Sequence, residues 1–149
     1  MSHDIEGIGF TYVPNSNEIA YFAGVEDVYS AYTINYYDPN NKRVVKYKIP
    51  GEGKDSIGNL QVSSNKAMVC FEHGSSGFHG YSIYRLSDML ELGSGGQYSY
   101  CEHWINNSSI VVRYKPYNNP SRVTHKRIYD IDTGKFDFIS VDNYMHMPE

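Results

Sequence analysis

The chain has few cysteines that could form disulfides, and it has no long apolar run that could span a membrane. Its 149 residues include only two cysteines, Cys70 and Cys101, which excludes a disulfide-rich scaffold and leaves open whether the two pair. No apolar run approaches the ~20 residues that a membrane span needs, and residues 1–4 lack the basic and apolar regions of a signal peptide. We therefore expect a soluble chain with no membrane span, and the sequence leaves its compartment unknown.

The chain also lacks a block of charge of one sign. It has 13 basic and 17 acidic residues, a net charge of −4, and its basic residues are scattered apart from the pairs at 42–43 and 126–127. Proteins that bind nucleic acid usually carry a basic patch or stripe. The sequence therefore predicts no nucleic-acid partner.

Tyrosine is the residue that the chain has in excess, with 15 Tyr against a single Trp. A buried tyrosine needs a hydrogen-bond partner for its hydroxyl, so rings of this kind suit the half-exposed faces of sheets. The length fits one domain, and we expect a single β domain over residues 1–149.

A strand, a tight polar turn and a second strand follow one another three times, in residues 12–22, 60–71 and 100–114. The second strands begin near Ile19, Ala67 and Ile110, a spacing close to the ~40–50 residues of propeller-blade repeats. Each copy continues into two further strands, which predicts three four-stranded antiparallel meanders over about 8–50, 57–92 and 98–141. Residues 90–92 also fit one turn of helix, and no helix longer than two turns is expected.

Residues 12–22 and 104–114, followed by the turn at 129–135, resemble the Pro-Asp repeat of TolB-type and prolyl-oligopeptidase-type β-propellers. In that family an aromatic residue ends the first strand, a Ser-Pro-Asp-Gly-like turn follows, and a Tyr-Asp-x-x-Thr-Gly-like turn joins the last two strands. Pro14 keeps the turn proline in the first unit and Trp104 keeps the aromatic in the third. The resemblance implies an all-β fold of blade-like units, a partial β-propeller.

Three sheets around an axis would leave an exposed edge at each end, because propellers close with four to eight blades. Three arrangements remain open. The chain is an excerpt of a longer propeller, a protomer that completes a six-bladed ring as a homodimer, or three small sheets packed as a sandwich.

No catalytic constellation stands out in the sequence. Asp130 and Asp132 resemble half of a calcium loop, but the later liganding Glu is missing and an Asp-Thr-Gly-Lys hairpin turn explains both. The six histidines are not at a recognised metal-ligand spacing. We expect no catalytic residue, no metal site and no cofactor, and thus no enzyme.

Loop length gives the prediction of a binding face. In a meander, alternate connections lie at opposite ends of the strands, which places the long connections at 24–31, 50–57, 73–80, 93–97 and 115–124 together. Loops on a rigid scaffold commonly carry binding, and Tyr and Arg dominate contact energy in interfaces. The binding candidates in these loops are Tyr29, Phe78, His79, Tyr117, Asn118 and Arg122. Trp104 is predicted instead to be a buried anchor of the fold.

These observations favour a non-catalytic β-repeat module that recognises a protein or peptide partner through its long loops, with carbohydrate as a variant because Tyr and Trp rings also stack on sugars. One alternative is an accessory propeller segment of a hydrolase whose catalytic domain lies outside this chain. Another is a small acidic inhibitor or immunity-type protein, which fits the size and charge.

Overall fold

The computed structural model describes residues 10–24, 30–50, 54–55, 57–74, 80–96, 98–114 and 123–143. These residues form strands and turns, and none of them belongs to a helix that is long and apolar enough to cross a membrane. The strands are β1 (Phe10–Tyr12), β2 (Ile19–Ala23), β3 (Ser30–Ala31), β4 (Thr33–Asp38), β5 (Arg43–Lys48), β6 (Lys54–Asp55), β7 (Gly58–Val62), β8 (Met68–His73), β9 (Gly80–Arg85), β10 (Leu90–Gly95), β11 (Ser99–Trp104), β12 (Ser109–Tyr114), β13 (Val123–Asp130) and β14 (Lys135–Asn143).

Twelve of these strands form three four-stranded antiparallel meanders. Sheet 1 has the order β1-β2-β4-β5, sheet 2 contains β7 to β10 in sequence order, and sheet 3 contains β11 to β14 in sequence order. The remaining strands, β3 and β6, pair with each other in a short ribbon. The predicted all-β fold of three blade-like units is confirmed.

Equivalent hydrogen bonds close the first turn of each sheet and fix which residues correspond. The amide of Val13 donates to the carbonyl of Glu18, that of Ser63 to Met68, and that of Ile105 to Ser109. Ile19, Val69 and Ile110 are therefore counterparts. Val69 takes the place of Ala67 in the match to Ile19 and Ile110, because the Asn65 side chain holds the backbone amide of Ala67 within the turn.

Each strand alternates its side chains between the two faces of its sheet. The sheets stack face to face in chain order, and two apolar clusters lie between them. A first apolar cluster fills the space between sheets 1 and 2, where the rings of Phe22 and Phe71 meet edge to face with centroids 5.3 Å apart. Both faces of β9 are buried because sheet 2 lies between the other two sheets. At one edge of the stack β7 contacts both β1 and β11, so the first strands of the three sheets lie side by side.

A second cluster joins sheets 2 and 3 and contains both cysteines, which are buried free thiols. Burial raises the pKa of the Cys70 thiol, and the hydrogen bond to Cys101 acts in the same direction. Both cysteines therefore serve as core side chains in the packing between sheets 2 and 3.

Sheet 2 extends further than the sequence indicated. Leu90–Gly95 forms β10, so the alternative of a helical turn at 90–92 is wrong, and the connection to sheet 3 spans only 96–98 rather than a long loop at 93–97. Tyrosine rings occupy the space of the missing side chains: a Cβ on Gly93 would lie 2.8 Å from Tyr129, and one on Gly95 would overlap the ring of Tyr81. Glycine here marks the close approach of a ring to a strand, not a loop.

Trp104 differs from its prediction as well, because the ring is half-buried rather than fully buried. It ends β11 beside an exposed turn, and one side of the indole packs on the second cluster. Its Nε1 donates to the carbonyl of Gln61 at 3.1 Å. Trp104 thus connects sheet 3 to the first strand of sheet 2.

Candidate functional site

The ends of the three sheets differ in how their connections are built. In each meander the first and third connections are short turns at one end, and the second is a long connection at the other. We call the chain at 24–32, 49–57, 74–79, 96–98 and 115–122 the long-loop face, and the opposite end the short-turn face.

The six predicted binding residues all belong to the long-loop face. Tyr29 lies in the range 25–29, Phe78 and His79 in 75–79, and Tyr117, Asn118 and Arg122 in 115–122, all outside the described residues. The described strand ends at Ala23, His73 and Tyr114 show where each of these connections leaves its sheet.

The first long connection is anchored by the β3–β6 ribbon, which the sequence did not indicate because 50–56 reads as a run of loop residues. Ser30 pairs with Asp55 and Ala31 with Lys54, which joins the loop within sheet 1 to the loop that leads into sheet 2. The amide of Tyr32 donates to the carbonyl of Ala23, and the amide of Ile49 donates to the carbonyl of Tyr32 at 2.8 Å. Long-range pairing between loops is invisible to local sequence patterns.

Imidazole and phenol rings lie where the strands meet the long-loop face. A ring nitrogen of His73 is 2.7 Å from Oγ of Ser82, and the ring packs 5.6 Å from that of Phe71. In sheet 3 the rings of Tyr114 and His125 are 6.0 Å apart. These rings combine apolar area with hydrogen-bonding atoms.

A bulge in β7 adds a polar junction just beneath this face. Asn59 has a positive φ of 53°, a conformation that Asn tolerates better than most residues, and the pairing register shifts beside it. Its side-chain amide donates to Oε2 of Glu72 at 2.5 Å and to the carbonyl of Cys101 at 2.8 Å. The junction ties sheets 2 and 3 together, and Gly58-Asn59 was the sequence signal for it.

The short-turn face is closed by its own side chains. Asp38 accepts hydrogen bonds from the side chain and backbone of Asn41 and from the amide of Asn40, which lower the pKa of its carboxyl. The paired Arg85 does the same to the carboxyl pKa of Asp88. Such turns satisfy their polar groups internally, which leaves few donors and acceptors for a partner.

Neighbouring sheets are also joined across the short-turn face. Oδ1 of Asn107 accepts a hydrogen bond from the amide of Asn65 at 2.9 Å, and Nζ of Lys66 lies 3.1 Å from Oε2 of Glu18. A shallow pocket nearby is lined by Glu18, Tyr36, Asp38, Arg43 and Val45. In the part of the chain that the structure describes, no three His, Cys, Asp or Glu residues are grouped so as to hold a metal ion.

Comparison with solved structures places the fold among β-propellers. The β-propeller domain of the Trilobed protease from Pyrococcus furiosus aligns with a TM-score of 0.57 at 10% identity, over 90% of this chain and 42% of that one. Hydrazine synthase from Kuenenia stuttgartiensis aligns with a TM-score of 0.52 at 10% identity, over 88% and 41% of the two chains. Hsv2 from Kluyvelomyces marxianus gives 0.52 at 10% identity, over 91% and 49%.

No protein-family model matches the sequence, and no curated protein matches it significantly. The chain spans less than half the length of each of these three structures. At 10% identity these similarities establish a propeller-like fold of three blade-like sheets and nothing about activity.

Proposed function

We propose that this chain is a non-catalytic binding module that recognises a protein or peptide partner through its long-loop face. The observation that supports the proposal is the difference between the two ends of the sheets. Side chains of the short-turn face are consumed in hydrogen bonds such as those of Asp38 and Asn107, whereas the long connections leave a rigid stack of sheets at the end that carries His73 and Tyr114. Rigid sheets with long loops are a common basis for recognition.

The proposal assigns recognition to the aromatic and cationic side chains of the long connections. Tyr29, Phe78 and Tyr117 provide one ring from each connection within a sheet, and Arg122 provides a cation. Interfaces are dominated by a few residues of these types, each costing ~2 kcal/mol or more when truncated. The rest of the loop surface contributes shape and polar contacts.

The test is a pull-down from the source organism with wild type and with the triple variant Tyr29→Ala, Phe78→Ala and Tyr117→Ala. The variant should keep the β circular-dichroism spectrum, because surface substitutions rarely change stability by more than ~0.5 kcal/mol. Its affinity for the partner should fall at least tenfold. The matched control changes Asn15, Asn40 and Asn107 to Ala on the short-turn face, and it should lower the melting temperature while retaining the partner. Equal capture by the loop variant, with loss in the turn variant, would overturn the assignment.

A second candidate function is an accessory propeller segment of a hydrolase. It is favoured by one comparison, since the Trilobed protease from Pyrococcus furiosus carries the similar β-propeller domain. Sequencing the full transcript separates the two functions: a hydrolase domain in the same reading frame would support the second, and its absence would leave the first.

A further inference from the structure

The outer faces of sheet 1 and sheet 3 carry residues at positions whose equivalents are buried on the inner faces of the stack. One is the sheet-1 free face, which includes Phe10, Tyr12, Ile19, Tyr21, Tyr37 and Val44. The other is the sheet-3 free face, which includes Val111, Arg113, Lys126, Ile128 and Asp137. Direct pairing across the strands places each set on one side of its sheet, and neither apolar cluster contains a residue of either set.

The sheet-1 free face corresponds to the face with which sheet 2 packs on sheet 1 and with which sheet 3 packs on sheet 2. Tyr37 pairs with Ile19, as Tyr84 pairs with Val69 and Tyr129 pairs with Ile110. Tyr84 is 2% exposed against sheet 1. The hydroxyl of Tyr129 donates to the carbonyl of Leu92 in sheet 2 at 3.1 Å.

Only in sheet 1 does this position lack a preceding sheet among the described elements. Its ring Tyr37 is half-buried, and beside it Tyr12 is 69% exposed and Phe10 47% exposed. Tyr12 is the counterpart of Trp104, which packs on sheet 2. An apolar surface of this kind on one face of a sheet marks an interaction site.

The sheet-3 free face has the complementary character. Val111 and Ile128 are the counterparts of Cys70 and Ile83, and Cys70 and Ile83 lie on the face of sheet 2 that packs against sheet 3. Val111 is only 5% exposed, and around it Arg113 and Lys126 each lie 3.5 Å from Oε1 of Glu102. Two cations share this carboxylate, and cations of this kind suit tyrosine rings.

Charge at the outer strands agrees with the same pairing. Lys46 lies on β5 in register with Asn35 of the sheet-1 free face, and Asp137 lies on β14 in register with Ile128 of the sheet-3 free face. Stacking one face on the other would bring Asp137 of one copy to the outer edge that carries Lys46 in the other copy.

We propose that the sheet-3 free face of one copy of this chain packs on the sheet-1 free face of a second copy, and that two copies close a ring of six sheets. The interface repeats the packing already present twice within the chain, and both of its halves are carried by every copy. Six sheets lie within the four to eight of closed propellers, whose closure covers the outer faces. Because the contact is head to tail and closes after two copies, the assembly stops at a dimer.

Light scattering during gel filtration of the full chain at 1–100 µM tests the proposal. The expected mass is twice the 17.0 kDa of the chain. Tyr37→Arg on the sheet-1 free face and Ile128→Arg on the sheet-3 free face should each weaken the dimer at least tenfold. Ser64→Arg, which adds the same charge at an exposed turn of sheet 2, should leave the dimer unchanged.

Mixing the two interface variants identifies the head-to-tail geometry. Each variant retains one intact face, so the mixture should form a one-junction dimer at concentrations at which either variant alone is monomeric. Circular dichroism checks the fold of each variant, and Tyr12→Arg at a mostly exposed site replaces Tyr37→Arg if that variant unfolds. A monomer at every concentration, a dimer that resists these changes, or a mass that keeps rising beyond two copies would each overturn the proposal.

Discussion

Tyr36 is a buried phenol whose hydroxyl has no hydrogen-bond partner among the described residues. The side chain is 5% exposed within the first cluster, and its counterparts by register are Ile83 and Ile128, which have no polar atom. A buried hydroxyl without a partner retains its desolvation cost. The Tyr129 hydroxyl, in contrast, donates to the carbonyl of Leu92.

Removing the two hydroxyls should therefore have opposite effects. We expect Tyr36→Phe to raise the free energy of unfolding by up to about 1 kcal/mol and Tyr129→Phe to lower it by about 1 kcal/mol. Urea unfolding of both variants measures the difference. A loss in Tyr36→Phe that exceeds the loss in Tyr129→Phe would contradict this reasoning.

The Tyr36→Phe substitution also changes how the stability responds to alkaline pH. Burial raises the pKa of Tyr36 above its ordinary value of 10.0, so the folded state binds its proton more tightly than the unfolded state. The free energy of unfolding therefore keeps its full value with respect to this group below pH 10 and falls as the pH rises further. Tyr36→Phe should lose less stability than wild type between pH 10 and 11.

At the scale of the element, β10 shows that glycine serves a strand when a ring occupies the place of its side chain. Tyr81 is 3% exposed and lies over Gly95, while Gly96, one residue later, has nothing within 4 Å of an added Cβ. A side chain is therefore excluded at Gly95 but not at Gly96.

Gly95→Ala should destabilise the protein by about 1–3 kcal/mol, the usual cost of overpacking. Gly96→Ala is the matched control and should stay within about 0.5 kcal/mol of wild type. Thermal unfolding of the two variants compares them directly. Equal melting temperatures would show that the Tyr81 ring does not cover β10.

At the scale of the whole molecule, stability comes from packing between sheets as much as from pairing within them. Four-stranded sheets of this length need an apolar face against a neighbour, and sheet 2 provides one on each side. Trp104 reinforces the contact between sheets 2 and 3 with both its ring and its Nε1 hydrogen bond.

Because the ring of Trp104 is half-buried, Trp104→Ala should cost about 2–3 kcal/mol, below the ~3–5 kcal/mol of a fully buried ring. Trp104→Phe retains ring packing, loses the bond to Gln61, and should cost about 1 kcal/mol. Guanidinium unfolding followed by circular dichroism measures both. An unchanged midpoint for Trp104→Ala would mean that the indole does not join the sheets.

The sequence by itself determined the repetition of four-stranded units and most of their strands. A strand, a tight polar turn and a second strand are local signals, so the three meanders and their chain order followed from residues 12–22, 60–71 and 100–114. The same signals placed the long connections at one end, which is the basis of the proposed binding face.

Tertiary structure alone decided what lies against each strand. The β3–β6 ribbon joins residues from two separate loops, the glycines of β10 are accommodated by rings from other strands, and Asn59 adopts its positive φ beside Glu72 and Cys101. Stacking of sheets also decided which of two equivalent tyrosines, Tyr84 or Tyr37, is covered. The physical reason is that pairing and packing between distant residues depend on the positions of whole sheets, whereas turns and strand alternation depend on neighbours in the chain.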